Sequence, residues 1–149
     1  MGRAGFNEII PALLWQRGQF LTWPAEQKRA ALEERGIKIV VNLWHKIDTD
    51  LSPGAKDYGR VYIHWHLSPS QPAKGTNLMV EMLVSLLNRG NGMLIHCEAG
   101  RGRSVWLTTE LVRRYSGMSY DEAYAFVKAR VPGADVRPEL AGTFTEASA

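Results

Sequence analysis

Cysteine is nearly absent from this chain: Cys97 stands alone among 149 residues. No internal disulfide can form, which fits a reducing, cytoplasmic compartment and a reactive rather than a structural thiol. No second cysteine is present to protect Cys97 from over-oxidation by bridging to it. No apolar run approaches the roughly 20 residues of a membrane span, and no signal-peptide core opens the sequence. Charge of one sign is scarce too. Lys and Arg number 18 against 15 Asp and Glu, a net +3 that suits an anionic substrate. There is no dense basic block of the kind that tracks nucleic acid, so no nucleic-acid partner is expected. His64 and His66 share a strand face, but no Cys or carboxylate joins them at ligand spacing, so neither a metal nor another cofactor is expected. No Gly-Lys-Ser/Thr triplet follows Gly100, which excludes a nucleotide loop of the Walker type. Repeats and low-complexity tracts are missing. What remains, 45% hydrophobic and 22% charged, describes one globular domain over residues 1–149 with one sizeable core, expected as a monomer.

One stretch organises that domain: His96-Cys97-Glu98-Ala99-Gly100-Arg101-Gly102-Arg103-Ser104. It follows the apolar run Met93-Leu94-Ile95 and precedes a helical pattern from Val105 to about Tyr115. A buried strand feeding a glycine-rich turn that opens a helix aims backbone N–H groups at one spot, and the helix dipole adds positive potential there. Such a cradle holds an anion. The same field favours the thiolate form of a cysteine at its base. Arg103, six residues beyond Cys97, can return over the turn and offer two parallel N–H donors to phosphate oxygens. The alternative is that Cys97 is an inert packing thiol.

Elsewhere the pattern alternates. Residues 1–8 read as a loose tail, and Phe6 to Leu14 as an edge strand or hairpin around Pro11. Thr22 to Arg35 reads as a helix with Pro24 in its first turn and Gly36 as its stop. Ile37 to Leu43 is a β-branched run suited to a buried parallel strand, with Asn42 tying loops together or serving as a satisfied core polar. A polar loop holding His45, Asp48, Asp50 and Asp57 leads to a strand from Arg60 to Leu67. A helix over residues 73–88 should bury Leu78, Met82, Leu83, Leu86 and Leu87. Ser119 and Glu122 form a capping box for a further helix that turns Ala123, Phe126 and Val127 inward, and a last short helix uses Leu140 and Phe144. The fold class is α/β: a single domain with a central, mostly parallel sheet and helices on both faces. Functional loops should gather at the carboxyl ends of the strands, after Leu43, Leu67 and Ile95.

The loop HCxxGxGRS resembles that of the protein tyrosine phosphatase superfamily, in its compact dual-specificity branch. Leu14-Trp15-Gln16-Arg17-Gly18-Gln19 is similar to the "lyRsgQ" opening of bacterial members, and "GIKIVVNL" to the "GIktVinL" strand. The resemblance runs from about Leu14 to Gly133. Rhodanese-type loops are shorter between Cys and Arg, and low-molecular-weight phosphatases carry the motif near the N-terminus. The resemblance implies a cysteine phosphatase fold and a hydrolase for phosphomonoesters that forms a phosphocysteine on Cys97. Its substrates would be phosphorylated proteins or small phosphomonoesters. Arg103 and the backbone N–H groups of Glu98, Ala99, Gly100, Arg101, Gly102 and Arg103 would hold the phosphoryl oxygens. Ser104 would hydrogen-bond the sulfur, and His96 would orient the loop. Arg17 would face the active site or simply lie on the surface.

The chain departs from this family at the general acid. The usual aspartate follows the second strand, where this sequence has Pro69, and proline cannot donate a proton. Asp48 is the first substitute, with Asp50 and His66 next; Asp48 as a solvated loop carboxylate is the alternative. The gap leaves open a pseudophosphatase that binds phosphorylated partners, and a phosphatase for lipid or inositol phosphates stands beside it.

Overall fold

The computed structural model describes residues 5–51, 59–67 and 76–136. Five strands form one sheet in the order β1-β2-β5-β3-β4. β1 (Asn7–Ile10) and β2 (Leu14–Arg17) are an antiparallel hairpin, and β2 runs parallel to β5 (Gly92–His96). β5 is parallel to β3 (Ile37–Asn42), which is parallel to β4 (Val61–His64). The hairpin turn at Pro11-Ala12-Leu13 puts Ala12 at φ 61, a left-handed conformation that a short side chain tolerates better than a branched one. β1 begins inside the stretch expected to be loose: Asn7 and Glu8 pair with Gln16 and Trp15.

Side chains of a strand alternate, so each strand feeds both faces of the sheet. Ile39, Val41, Met93 and Ile95 face a core closed by α2 (Thr76–Asn88), α3 (Arg103–Ser116) and α4 (Tyr120–Lys128). Val40 and Leu94 face the other way, onto Leu32 of α1 (Ala25–Glu34) and onto Phe20. Helices therefore cover both faces, as the α/β reading requires. α3 is the central helix. All nine residues from Ser104 to Val112 are buried, because it packs on the sheet and between α2 and α4.

Several boundaries differ from the sequence reading. α1 starts at Ala25 because Pro24 serves as its N-cap. β4 ends at His64, although Trp65 N–H and Leu67 N–H still donate to Asn42 O and Leu43 O. In α2 the buried stripe is Thr76, Val80, Leu83 and Leu87. Leu78 is 75% exposed and Met82 44%, so the expected core face was rotated by part of a turn. The capping box of α4 forms as expected: Glu122 N–H donates to Ser119 Oγ, and Ser119 N–H to the Glu122 carboxylate. The helix expected at Leu140 and Phe144 lies outside the described residues. Among the described residues no helix is long and apolar enough to cross a membrane.

Candidate active site

β5 ends at His96, and α3 begins at Arg103. Cys97 to Gly102 is the turn between them. Cys97 is buried, with Sγ 3.1 Å from Ser104 Oγ in the first turn of α3. Arg103 folds back over the loop, donating from Nη1 to Leu67 O at 3.3 Å, with Nη2 3.9 Å from a Glu98 carboxylate oxygen.

The loop's carbonyls explain how its amides are aimed. Glu98 O accepts from Gln19 N–H at 2.8 Å, Gly100 O from the Gln16 side chain at 2.9 Å, and Arg101 O from Asp135 N–H at 2.7 Å. Cys97 O lies 3.4 Å from His96 Nδ1, and Gly102 O accepts from Trp106 N–H. A trans peptide sets C=O and the following N–H on opposite sides. Carbonyls held outward by these donors therefore turn the N–H groups of Glu98, Ala99, Arg101, Gly102 and Arg103 toward the inside of the turn. Convergent amides at a helix N-terminus make an anion cradle, and Cys97 lies at its foot.

Two glycines let the loop sit so close to the end of β2. Gly100 has φ 76, and a Cβ there would run into the Gly18 backbone N. A Cβ on Gly18 would lie 2.9 Å from Glu98 O. Either side chain would force the two backbones apart.

Arg17 is buried rather than on the surface. It is 7% exposed, with its guanidinium 4.6–4.7 Å from the ring centres of Phe6, Phe20 and Trp23. Nε donates to Gly18 O. Burial, and then the charge of Arg35, pull its pKa down to about 10. Beside it His96 packs edge-on against Phe20. Burial pushes the His96 pKa down to about 4, and Arg17 and His64 also lower it against the raising effect of the Cys97 backbone contact. Because a carbonyl only accepts, the neutral ring directs Nδ1–H at Cys97 O, and Nε2 has no partner among the described residues.

Asp48, the first candidate for the general acid, lies in a buried ion pair. It is 4% exposed, and Lys28 Nζ of α1 donates to both its oxygens, at 2.9 and 2.8 Å. The third Lys28 proton goes to Asp50 at 2.9 Å. Asp48 Oδ1 also accepts from Asp50 N–H. The physical reason is local: a lysine fully buried on the sheet-facing side of α1 requires carboxylates, and the loop after β3 supplies them. Asn42 uses its amide to tie the same turn to β4, donating to Lys46 O and Tyr62 Oη and accepting from Trp44 N–H. His66 is exposed, edge-on to His45 at 5.9 Å between ring centres. Lost water, then the charges of His45, Arg103 and His64, hold its pKa below the usual histidine value. Pro69 lies outside the described residues. Among the described residues no group of three or more His, Cys, Asp or Glu side chains could hold a metal ion.

Sequence reasoning missed three donors beneath the loop: Gln16, Gln19 and Asp135. Gln16 carried a signal, being a polar residue whose neighbours Leu14 and Trp15 begin a strand.

A glycine-rich turn from a parallel strand into a buried helix, with a cysteine at its foot and an arginine over it, has the arrangement expected from the cysteine phosphatase resemblance. The chain belongs to the family described as "Dual specificity phosphatase, catalytic domain", which matches residues 19–148. Among solved structures it is similar to human DUSP28 (19% identity, 95% of this chain and 91% of that one, TM-score 0.72). It is also similar to human tyrosine phosphatase-like serine/threonine/tyrosine-interacting protein (19%, 96% and 95%, 0.77). A third likeness is to PTPMT1 in complex with PI(5)P (16%, 95% and 93%, 0.78). At these identities the likeness is one of fold. A comparison with curated protein sequences finds no match.

Proposed function

We propose that this protein is a cysteine-dependent phosphomonoester hydrolase acting through a phosphocysteine, on phosphotyrosine or phosphoserine/threonine proteins. The observation that carries the reading is Cys97 Sγ beneath a ring of inward-turned N–H groups, 3.1 Å from Ser104 Oγ. In the first step the Cys97 thiolate attacks phosphorus; the P–S bond forms as the ester P–O bond breaks. Arg103 leaves its resting contacts with Leu67 and Glu98 and, with the loop amides, holds the three equatorial oxygens. In the second step water attacks the phosphocysteine, and inorganic phosphate leaves. The Ser104 hydroxyl donates to the departing sulfur.

The ion pair with Lys28 supports a packing role for Asp48 rather than proton transfer, so the leaving oxygen takes its proton from another source. His66, exposed beside His45, has its pKa lowered by lost water and then by the charges of His45, Arg103 and His64, so its ring is protonated less often at neutral pH. Turnover should therefore depend steeply on leaving-group basicity. Two other readings have one observation each. Pro69 in the usual acid position favours a phosphate-binding pseudophosphatase, and the likeness to PTPMT1 bound to PI(5)P favours a lipid or inositol phosphate.

A panel of aryl phosphate, phosphotyrosine peptide, phosphoserine peptide and inositol phosphates separates these readings. Cys97→Ser is run beside the parent, with an expected loss of about a thousandfold or more in turnover and retained phosphate binding. Equal rates for the two proteins would end the enzyme reading. No turnover in the parent, together with phosphopeptide binding, would establish the binding module.

A further inference from the structure

We infer that Gln16 is a positioning residue for the nucleophile, acting through Ser104. The side chain is fully buried, and each of its polar atoms is committed. Oε1 accepts from Asn7 Nδ2 at 2.9 Å. Nε2 donates to Gly100 O at 2.9 Å and to Ser104 Oγ at 2.7 Å. The amide cannot be turned over, because Gly100 O and Asn7 Nδ2 are a pure acceptor and a pure donor. Ser104 Oγ thus accepts a hydrogen bond from Gln16, and the hydroxyl's own hydrogen is left for its remaining partner among the described residues, Cys97 Sγ at 3.1 Å. When Cys97 is a thiolate, that hydrogen stabilises the charge. The second Gln16 proton holds the Gly100 carbonyl outward, and with it the Arg101 N–H inward. One amide on β2 therefore sets both the donor to the sulfur and one donor to the anion.

The inference about turnover rests on the phosphocysteine reading, but the test has arms that do not. Gln16→Met keeps length and removes both donors. The pH midpoint of Cys97 alkylation by iodoacetamide should rise by about half a unit or more in this variant. Protection of Cys97 by inorganic phosphate should weaken several-fold. With an aryl phosphate, breakdown of the phosphoenzyme should slow about tenfold relative to its formation, the scale of one hydrogen bond to a charged group. A larger burst of phenolate would report that change.

In a Ser104→Ala background, Gln16→Met should leave the midpoint and the burst where Ser104→Ala alone puts them, yet still weaken phosphate protection through Gly100. Asn7→Ala, at a half-buried edge position, should move the midpoint in the same direction by less. It carries the test if Gln16→Met does not fold. A folded Gln16→Met, or Asn7→Ala in its place, with the parent's midpoint and phosphate protection would overturn the inference. So would a full additional effect of Gln16→Met on the midpoint when Ser104 is absent. A parent without turnover would end the phosphatase reading, while the alkylation arms would still judge Gln16.

Discussion

Two buried polar clusters flank the same sheet and are wired in opposite ways. On the β2 side, Gln16 donates twice and passes a hydroxyl hydrogen outward to Cys97, so the chain of donors ends on a reactive atom. On the α1 side, Lys28 delivers its three protons to Asp48 and Asp50, and the donors end on the carboxylates of the pair itself. The first cluster is open toward the site, and the second is closed. Burial of a charged or polar side chain is therefore no guide to chemistry by itself. What separates function from architecture is whether a donor remains for something outside the cluster.

The contrast predicts opposite experimental splits. The largest effect falls on the open side. Arg103→Lys keeps the charge but loses the planar pair of donors, so kcat should fall at least about a hundredfold with little change in melting temperature. A loss confined to KM would count against the two-pronged contact. Asp48→Asn should do the reverse. Removing one carboxylate from a buried pair costs on the order of 3 kcal/mol, read as a fall in the urea midpoint, while the dependence of rate on leaving group stays that of the parent. Should Asp48→Asn instead spare an aryl phosphate and selectively slow phosphotyrosine, the closed cluster would have to be reopened as an acid. His66→Gln is the companion control.

A third split, in pH dependence rather than in rate, belongs to His96 at the end of β5. Its folded pKa of about 4 lies below the unfolded value of about 6.5. Between those values the unfolded chain binds a proton that the folded chain refuses. This contribution is whole above pH 6.5 and is lost as pH falls toward 4, at about 1.4 kcal/mol per pH unit. His96→Asn should flatten the decline of melting temperature between pH 6.5 and 4.5. An unchanged slope would mean that His96 takes up its proton as readily in the fold as in the unfolded chain.

The loop from His96 to Ser104 was legible because its strand, glycines and helix announce themselves in consecutive residues. The same holds for the β-branched run of β3 and for Ser119 with Glu122. What the sequence hid depends on partners far along the chain. Gln16 meets Ser104 across 88 positions, and nothing in a strand tetrapeptide reports that. Asp48 looked available because a loop carboxylate normally faces water; the lysine that claims it sits 20 residues earlier, on a helix whose pattern gave no hint of a buried charge. Arg17 departed from the surface reading for a related reason. Its three aromatic neighbours come from Phe6, Phe20 and Trp23, which converge only after the hairpin and the start of α1 have folded. α2 misled through composition: with apolar residues on most of its surface, periodicity could not choose between Leu78 and Val80.

The β1–β2 hairpin carries a kinetic consequence. β1 is an edge strand of four residues, paired only to β2 within the sheet, and edge elements open far more often than whole domains unfold. Asn7 leaves with β1, so each opening strips Gln16 Oε1 of its donor and weakens, but does not abolish, the hold of Gln16 on Gly100 and Ser104 while β5 and α3 remain folded. The lifetime of the assembled site is then set by how often the hairpin frays, a rate that temperature and mild denaturant can change well before the global transition. Activity should consequently begin to fail over a range in which the far-ultraviolet signal of the helices is still intact.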